Sequence, residues 1–252
     1  MKLYANAKIN IGLNVVSKRA DGYHNLETVF YPVDMCDVLN IVPSHADATT
    51  LQVKGIQVDS SMQDNLVYKA YTLLKQDFDI PAVDIVLEKN VPFGAGLGGG
   101  SSDAANTLKA LNTMFSLGLS DAELEAYAVK LGADCPFFIK NKPVYATGIG
   151  NEFHPIELDL SGYQIKVVKP DVNVSTAMAY RGITPKPSDF NLLNISQLPL
   201  SEWKSCVKND FEESVFPQFP EIKALKEEMY SKGAVYAAMS GSGSAVFGIF
   251  KI

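Results

Sequence analysis

The strongest constraint on the fold is a glycine-rich run that ends where an apolar helical pattern begins. Five of the seven residues from Gly94 to Gly100 are glycine, and Ser101 and Ser102 follow them. Glycines leave backbone N–H groups unshielded by side chains, so several of these groups can converge on one anion. The following helix adds its unpaired N-terminal donors and the positive end of its dipole. The run therefore predicts a polyphosphate site rather than a simple tight turn.

Two familiar phosphate-binding motifs do not fit this run. Gly94, Gly96 and Gly99 satisfy G-x-G-x-x-G, but a dinucleotide site also needs a strand, helix, strand unit closed by an acidic residue. Here the helix leads into a second helix start at LGLSDAELEA. A P-loop needs Gly-Lys-Ser/Thr after its glycines, and that sequence does not follow. If the chain is a kinase, a lysine outside the loop must serve the phosphates.

A lysine suited to that task lies on the first predicted strand. Apolar residues alternate with polar ones from Ala7 to Val16, so Lys8 and Asn10 share one face of the strand. A lysine on a strand is held in a fixed direction. The pattern therefore permits Lys8 to point toward a bound anion.

The rest of the chain mixes strand and helix patterns. Further strands are predicted at residues 26–42, 83–87, 163–168, 234–239 and 245–250. Helices are predicted at 66–76, after the glycines through 104–115, at 120–131, from about 175, and at 221–231. Ser120 and Glu123 form a capping box, Asp64 or Asn65 caps the first helix, and Gly132 is a candidate left-handed helix end. This is α+β composition, and Gly, Asn and Pro near 148–155 predict two domains, 1–150 and 151–252.

Charge and cysteine content narrow the class of protein. The net charge of -6 argues against the clustered basic field that nucleic acids or anionic membranes require. Cys36, Cys135 and Cys206 lack the spacing of a zinc site or a redox pair, which favours reduced thiols. The sequence has no uninterrupted apolar run of about 18 residues, the length of a membrane span. We expect a cytoplasmic protein that binds neither nucleic acid nor membrane.

Four segments resemble the GHMP kinases. PFGAGLGGGSSDAA, at 92–105, resembles that family's P-x-x-x-G-L-G-S/G-S-S ATP-binding motif, and AAMSGSGSAVFG, at 237–248, resembles its third glycine-rich motif. LGADCPFFI, at 131–139, is similar to the segment that carries the catalytic aspartate. AKINIGLNVVSKRADGYHNLETVF, at 7–30, resembles the first motif of the branch that acts on 4-diphosphocytidyl-2-C-methyl-D-erythritol. The pattern K-I-N-x-x-L followed by R-x-D-G-Y-H distinguishes that branch, and the matches span nearly the whole chain in the family's order.

The resemblance implies both a fold and a reaction. The fold is the two-domain GHMP type, with an N-terminal domain like the second domain of ribosomal protein S5, a ferredoxin-like C-terminal domain and an active site in the cleft. The reaction is ATP-dependent phosphorylation of the substrate's 2-hydroxyl, in the non-mevalonate route to isopentenyl diphosphate. Asp134 would accept the hydroxyl proton, while Lys8 would orient that carboxylate and stabilise charge on the γ-phosphate. Mg²⁺ is expected on the β and γ oxygens, with no dedicated protein ligand.

The same resemblance implies residues that bind the two substrates. Those for ATP are Asn65, Leu66, Lys89, Pro92, Phe93, Gly94, Ala95, Gly96, Leu97, Gly98, Gly99, Gly100, Ser101, Ser102 and Gly241. Those for the acceptor are Asn10, Tyr23, His24, Asp134, Thr176 and Tyr180. Tyr23 is expected to stack on cytosine, His24 to hydrogen-bond its edge, and Tyr180 to supply a second aromatic ring. Plain structural roles compete with some of these, namely a helix cap for Asn65, a core position for Tyr180 and a hairpin for Gly241.

Two alternative functions remain at this stage. A homoserine or mevalonate type of GHMP kinase would share the loop, and the R-x-D-G-Y-H pattern argues against it. A non-catalytic binding protein of the same fold would have no chemical reason to keep Lys8, Asp134 and all three glycine-rich motifs. We expect a small-molecule substrate and a monomer or weak homodimer.

Departures from the family's pattern are small. Ala95 and Asp103 stand where the middle motif often carries other small or polar residues, and Ser175 stands where many relatives have proline. Neither proposed catalytic residue is affected. Residues 189–210 contain no motif that we can assign.

Overall fold

A computed structural model describes residues 1–57 and 61–252 of the chain. The strands are β1 Lys2–Lys18, β2 His24–Pro43, β3 Thr50–Gly55, β4 Val83–Lys89, β5 Val144–Thr147, β6 Glu152–Pro155, β7 Tyr163–Val168, β8 Tyr236–Met239 and β9 Val246–Lys251. The helices are α1 Leu66–Asp77, α2 Gly99–Met114, α3 Asp121–Val129, α4 Phe137–Lys140, α5 Thr176–Tyr180, α6 Trp203–Cys206, α7 Phe211–Val215 and α8 Pro220–Ser231. Short 3₁₀ helices lie at Leu192–Gln197 and Leu200–Glu202.

The described residues form two compact units that are interleaved along the sequence. The first contains Met1–Ala7, Asp34–Phe93 and Gly98–Asn141, and the second contains Lys8–Val33, Gly94–Leu97 and Lys142–Ile252. Strands β1 and β2 contribute to both units because they are 17 and 20 residues long. The domain limits 1–150 and 151–252 stay a prediction.

The first unit contains a sheet in the order β3-β4-β2 and helices α1 to α4, which pack on one another. β3 is parallel to β4, and β4 is antiparallel to the second half of β2. Alternation along β4 buries Val83, Ile85 and Leu87, and the same period also buries Lys89. A lysine on the core face of a strand requires anionic partners.

The second unit contains two antiparallel arrangements. The first half of β2 pairs with β5, and β5 pairs with β6, while β7, β9 and β8 form a three-stranded sheet. Helix α8 covers this smaller sheet through Ile222 and Met229, which are buried with Val246 and Ala237. The hydrophobic core here lies between one face of α8 and one face of the three-stranded sheet.

Most local predictions are confirmed. The composition is α+β, Asn65 caps α1 by accepting a hydrogen bond from the Val67 amide, and the Ser120–Glu123 capping box is present. Predicted strands and helices fall within the observed ones to a few residues, although β1 extends back to Lys2. In the part of the chain that the structure describes, no helix has the length and apolarity of a membrane span.

Two local predictions are wrong. Helix α2 begins at Gly99, inside the glycine run, rather than after it. Helix α3 ends at Val129 with Lys130 in a right-handed conformation, and Gly132 is not among the glycines with positive φ. The predicted left-handed helix end at Gly132 is therefore wrong, because the chain leaves α3 without a left-handed residue.

Candidate active site

The glycine-rich loop has a backbone that side-chain-bearing residues rarely adopt. Gly94, Gly96 and Gly98 have φ values of 62°, 77° and 69°, in the left-handed region. Gly98 is the N-cap of α2, and it has no side chain to occupy the helix's first N–H groups. An uncapped helix start preceded by alternating left-handed glycines is a suitable anion site.

In the second unit, the middle of this loop is fixed by four hydrogen bonds. The Gly96 carbonyl accepts from Lys8 Nζ at 3.1 Å and from Ser240 Oγ at 2.9 Å. The Ala95 carbonyl accepts from the Ala245 amide, and the Leu97 carbonyl accepts from the Lys8 amide. The first and third motifs therefore both hold the second motif.

Gly96 is the position where this close approach excludes any other residue. A Cβ atom on Gly96 would lie 2.1 Å from the backbone oxygen of Ser240, which is backbone and cannot rotate away. We expect Gly96→Ala to destabilise the protein by about 2 to 4 kcal/mol because a steric clash adds to an unfavourable φ. ATP affinity should fall with it. Thermal unfolding and ATP titration calorimetry measure the two effects.

Gly94→Ala is the matched control for that substitution. Gly94 also has positive φ, but no described atom lies within 4 Å of the Cβ that alanine would add. It shares the backbone strain without the clash, so its loss of stability should be about 1 to 2 kcal/mol. Equal losses for the two variants would contradict the close contact with Ser240.

Lys8 is a buried ammonium held by the residues around it. Its side chain is 3% exposed, and Nζ donates to Asn10 Oδ1 at 2.6 Å and lies 4.6 Å from the centre of the Phe30 ring. Asn10 is oriented because its Nδ2 donates to Thr28 Oγ1 at 3.0 Å. The predicted shared face of Lys8 and Asn10 is confirmed. Both faces of β1 are buried here, so the polar face is an internal site rather than a solvent surface.

The third glycine-rich motif depends on an asparagine that sequence analysis missed. Asn209 is buried, and its Nδ2 donates to the carbonyls of Met239 and Gly241, both at 2.8 Å. Ser240 Oγ also accepts from the Asn10 amide at 3.2 Å. Asn209 lies in the stretch where no motif was assignable, and a lone asparagine carries no periodic signal. The hairpin role of Gly241 is present as well, since β8 and β9 flank it.

The residues proposed to bind cytosine include a stacked pair of rings. The rings of His24 and Tyr180 lie 4.7 Å apart at 21°, and Tyr180 packs edge-on against Phe211 at 4.8 Å. Burial raises the pKa of Tyr180, so its hydroxyl stays protonated near neutral pH. Tyr23 is 62% exposed. Tyr23 directly precedes His24 in the chain, and its exposed ring is suited to receiving a flat ring.

Three polar contacts lie in or next to this region. Asp21 accepts from the Arg19 guanidinium at 2.9 Å and from the Tyr23 amide at 3.1 Å, which fixes the turn before Tyr23. The hydrogen bond from Arg19 lowers the pKa of Asp21. Thr176 is exposed and lies 3.3 Å from Ser242 between the hydroxyl oxygens, which links it to the third motif.

The first unit contains the other proposed residues. Asp134 is half-buried and follows α3, directly before the buried Cys135. Burial raises the pKa of Cys135 to about 11, so this thiol is not a nucleophile near neutral pH. Leu66 lies next to the start of α2, because a Cβ on Gly100 would be 3.7 Å from its Cδ1.

Lys89 is a buried lysine at the end of β4. Its side chain is 4% exposed, and Nζ donates to Asp37 and, at 2.7 Å, to Asp103. Burial lowers the pKa of Lys89, but attraction to Asp103 and Asp37 outweighs it and leaves this pKa above its ordinary value. The ammonium is charged and engaged by two carboxylates. Its assignment to ATP stays a prediction.

The fold and loop define a class of protein. The GHMP kinases N terminal domain matches residues 65–142, and the GHMP kinases C terminal domain matches residues 192–251. The chain therefore belongs to the GHMP kinases, a class of small-molecule kinases. The predicted two-domain GHMP fold is confirmed.

Closer relatives identify the branch of that class. The chain is 57% identical over 252 residues to the 4-diphosphocytidyl-2-C-methyl-D-erythritol kinase of Bacteroides fragilis, covering 99% of this chain and 92% of the relative. It is 55% identical to the enzyme of that name from Parabacteroides distasonis, covering 100% and 92%. The chain belongs to the family of 4-diphosphocytidyl-2-C-methyl-D-erythritol kinases.

Solved structures agree with this placement. A crystal structure of 4-(cytidine 5'-diphospho)-2C-methyl-D-erythritol kinase superposes with a TM-score of 0.85 at 36% identity, covering 99% of this chain and 90% of that one. Homoserine kinase from Cytophaga hutchinsonii superposes with a TM-score of 0.69 at 17% identity, covering 96% and 85%. The second likeness shows the fold alone.

Proposed function

We propose that this kinase transfers the γ-phosphate of ATP to the 2-hydroxyl of 4-diphosphocytidyl-2-C-methyl-D-erythritol. The observation that carries the proposal is the Gly96 carbonyl, which accepts hydrogen bonds from the buried Lys8 ammonium and from Ser240. This carbonyl links the Lys8 ammonium to the glycine-rich loop, which is suited to binding phosphates. That arrangement serves phosphoryl transfer, in which positioning and charge stabilisation do most of the work.

Lys8 and Asp134 have complementary roles in this proposal. Asp134 accepts the proton of the attacking hydroxyl, while Lys8 stabilises negative charge on the transferred group. Burial of the Lys8 side chain supports its role, because an ammonium with few water contacts interacts strongly with an anion. The similarity of LGADCPFFI to the family's catalytic segment supports the role of Asp134.

The acceptor's cytosine is assigned to the aromatic group in the second unit. Tyr23 stacks on the base, and His24 hydrogen-bonds the edge of the base. Tyr180, whose ring is stacked on His24, supplies the second aromatic ring. Asn10 and Thr176 contact the acceptor near the reacting hydroxyl. The names of the relatives support this substrate, since each name refers to a diphosphocytidyl compound.

The nucleotide is assigned to the glycine loop with α2, and the adenine to Asn65 and Leu66. The loop fits ATP phosphates because its left-handed glycines and uncapped helix start present N–H donors without side chains. Mg²⁺, when bound with the nucleotide, would supply positive charge that offsets the negative charge of the phosphates. We assign phosphate oxygens and water as its ligands, because Mg²⁺ usually keeps several waters when it binds substrate phosphates. Among residues 1–57 and 61–252, no group of three His, Cys, Asp or Glu side chains is arranged to hold a metal.

The setting of the reaction follows from the same observations. We assign the enzyme to the cytoplasm, where ATP is available and free thiols such as Cys36 and Cys206 stay reduced. Its partners are small molecules rather than nucleic acids, because its net charge is -6. We propose that the enzyme is a monomer or a weak homodimer.

A comparison of acceptors tests the substrate. ADP release with Mg²⁺ and ATP would be measured with the diphosphocytidyl compound, homoserine and mevalonate in parallel. We expect kcat/KM for the diphosphocytidyl compound to exceed the others by about 10⁴-fold or more, since a site built to hydrogen-bond a base rejects ligands without one. Turnover of mevalonate or homoserine at a similar rate would overturn the assignment. ATP binding without turnover of any acceptor would favour a non-catalytic protein.

A further inference from the structure

Apart from the predicted assignment of Lys89 to ATP, the buried ion cluster of Asp37, Lys89 and Asp103 has no part in the roles assigned above. The three side chains are 0%, 4% and 3% exposed, and Lys89 Nζ donates to both carboxylates. They come from β2, β4 and α2 of the first unit. Removing three charged groups from water is costly, and the mutual attraction and hydrogen bonds of the cluster must offset that cost.

The cluster joins the two ends of the glycine-rich loop. At the entrance, Asp37 Oδ1 accepts hydrogen bonds from the backbone N–H groups of Asn90 and Val91 at 2.6 and 2.8 Å. These two residues directly precede the loop. At the exit, Asp103 lies near the beginning of α2, four residues after the helix starts at Gly99. Lys89 connects the two carboxylates. The strand end and the helix start are therefore held by one buried cation.

Packing at Gly99 shows how close the two ends are. A Cβ on Gly99 would lie 2.9 Å from Val91 Cγ1 and 3.4 Å from Asp37 Oδ2. The first turn of α2 therefore rests directly on the strand end that Asp37 holds. Displacement of the cluster would move the N–H groups assigned to the phosphates.

The cluster's charge is not balanced when all three groups are ionised. Two carboxylates and one ammonium give a net charge of -1, and Asp103 Oδ1 is buried with no hydrogen-bond partner among the described residues. Burial raises the pKa of Asp103 to about 7, attraction to Lys89 lowers it, and repulsion from Asp37 raises it. Asp37 and Lys89 are the titratable groups that face it. Burial raises the pKa of Cys36, beside Asp37, so that thiol remains neutral.

We propose that the Asp37–Lys89–Asp103 cluster positions the phosphate-binding loop, and that the protonation of Asp103 sets how well this loop binds ATP. With Asp103 protonated, the cluster is neutral and the helix start attracts phosphate without opposition. With Asp103 ionised, a buried negative charge opposes the phosphates. All three act as positioning residues.

The direction of the pH effect follows from the raised pKa of Asp103. A carboxyl whose pKa is higher in the folded state than in the unfolded state contributes stability that is present below the unfolded value and lost as pH rises through the folded value. For Asp103 that window runs from 3.8 to about 7. ATP binding should weaken across the upper part of the same window.

The test compares KM for ATP and KM for the acceptor in three variants. Asp103→Asn keeps the shape and removes the charge, Lys89→Met removes the link, and Asp47→Asn makes the same charge change at an exposed position. The ionisation of the ATP phosphates changes with pH in the same way in every assay, so it does not affect the comparison between variants. Thermal unfolding identifies variants that have not folded.

We expect wild-type KM for ATP to rise by about three- to tenfold between about pH 6 and pH 8, relative to Asp103→Asn measured in parallel. Asp47→Asn should behave as wild type. Lys89→Met should raise KM for ATP by about tenfold or more, with KM for the acceptor within about threefold of wild type. A merely structural role would instead change both constants together.

The proposal is overturned if Asp103→Asn and wild type have the same pH dependence of KM for ATP, or if both Michaelis constants shift in parallel. If Lys89→Met does not fold, the comparison of Asp103→Asn with wild type decides alone. The inference rests on the proposal that the loop binds ATP. Failure of the wild-type enzyme to bind ATP would defeat that proposal, whereas unchanged variants would defeat only the present one.

Discussion

Asp134→Asn should lower kcat by about 10²- to 10⁴-fold, because asparagine cannot accept the proton of the attacking hydroxyl. The substitution preserves the size of a half-buried side chain, so the fold should be unaffected. KM for ATP should stay within about threefold of wild type, because the nucleotide is assigned to the loop and α2. Single-turnover kinetics separates the chemical step from product release, and ATP titration calorimetry gives the affinity.

Asp47→Asn is the control for the loss of a negative charge, since Asp47 is an exposed aspartate of the same unit. It should leave kcat at the wild-type value. If Asp134→Asn retains wild-type kcat in a folded protein, Asp134 is not the base, and another acceptor for the proton must be found.

Lys8→Met should lower kcat by about 10²- to 10³-fold, the usual cost of removing one preorganised donor from a site where charge develops. Methionine fills a similar volume, but it removes the hydrogen bonds to Asn10 Oδ1 and to the Gly96 carbonyl. Gly96 keeps the bond from Ser240, so the loop should remain in place. The measurement is kcat at saturating substrates, with the affinity for ATP determined separately.

Lys54→Met is the matched control, because Lys54 is an exposed lysine on β3. It should change neither kcat nor ATP affinity. A Lys8→Met enzyme that loses ATP affinity while keeping kcat would assign Lys8 to ground-state binding and contradict its role in the transfer step.

Local features of the fold were predictable from the sequence. The capping box at Ser120, the cap at Asn65 and the strand period of β4 depend on residues within a few positions of one another. A glycine-rich loop leading into a helix was also predictable, since glycine density is itself a local property, and its role as a phosphate site stays a prediction. These signals are written in adjacent residues, so a sequence pattern can detect them.

Contacts between distant residues were not predictable. Lys89 and Asp37 are 52 residues apart, and Ser240 and Gly96 are 144 residues apart. The predicted strand ended at residue 87, so no pattern placed Lys89 in the core or identified the carboxylates that meet it there. Asn209 was missed for the same reason, because its partners lie 30 and 32 residues away.

The helix start at Gly99 shows tertiary packing overriding local preference. Glycine disfavours helix interiors by about 1 kcal/mol, which led the sequence prediction to begin α2 after the glycines. In the fold, a side chain at Gly99 would collide with Val91, so the first turn of α2 requires glycine there. Propensity alone therefore misplaced the helix start by two residues, at Ser101 instead of Gly99.

Analysis of the product tests the central claim most directly. The enzyme would be incubated with ATP, Mg²⁺ and 4-diphosphocytidyl-2-C-methyl-D-erythritol, and ³¹P and ¹³C NMR spectra of the mixture would be recorded as ADP accumulates. We predict one new phosphomonoester for each ADP formed, with its phosphorus coupled to carbon 2 of the methylerythritol chain. Formation of ADP with free phosphate alone, or a phosphomonoester on a different carbon, would contradict the account.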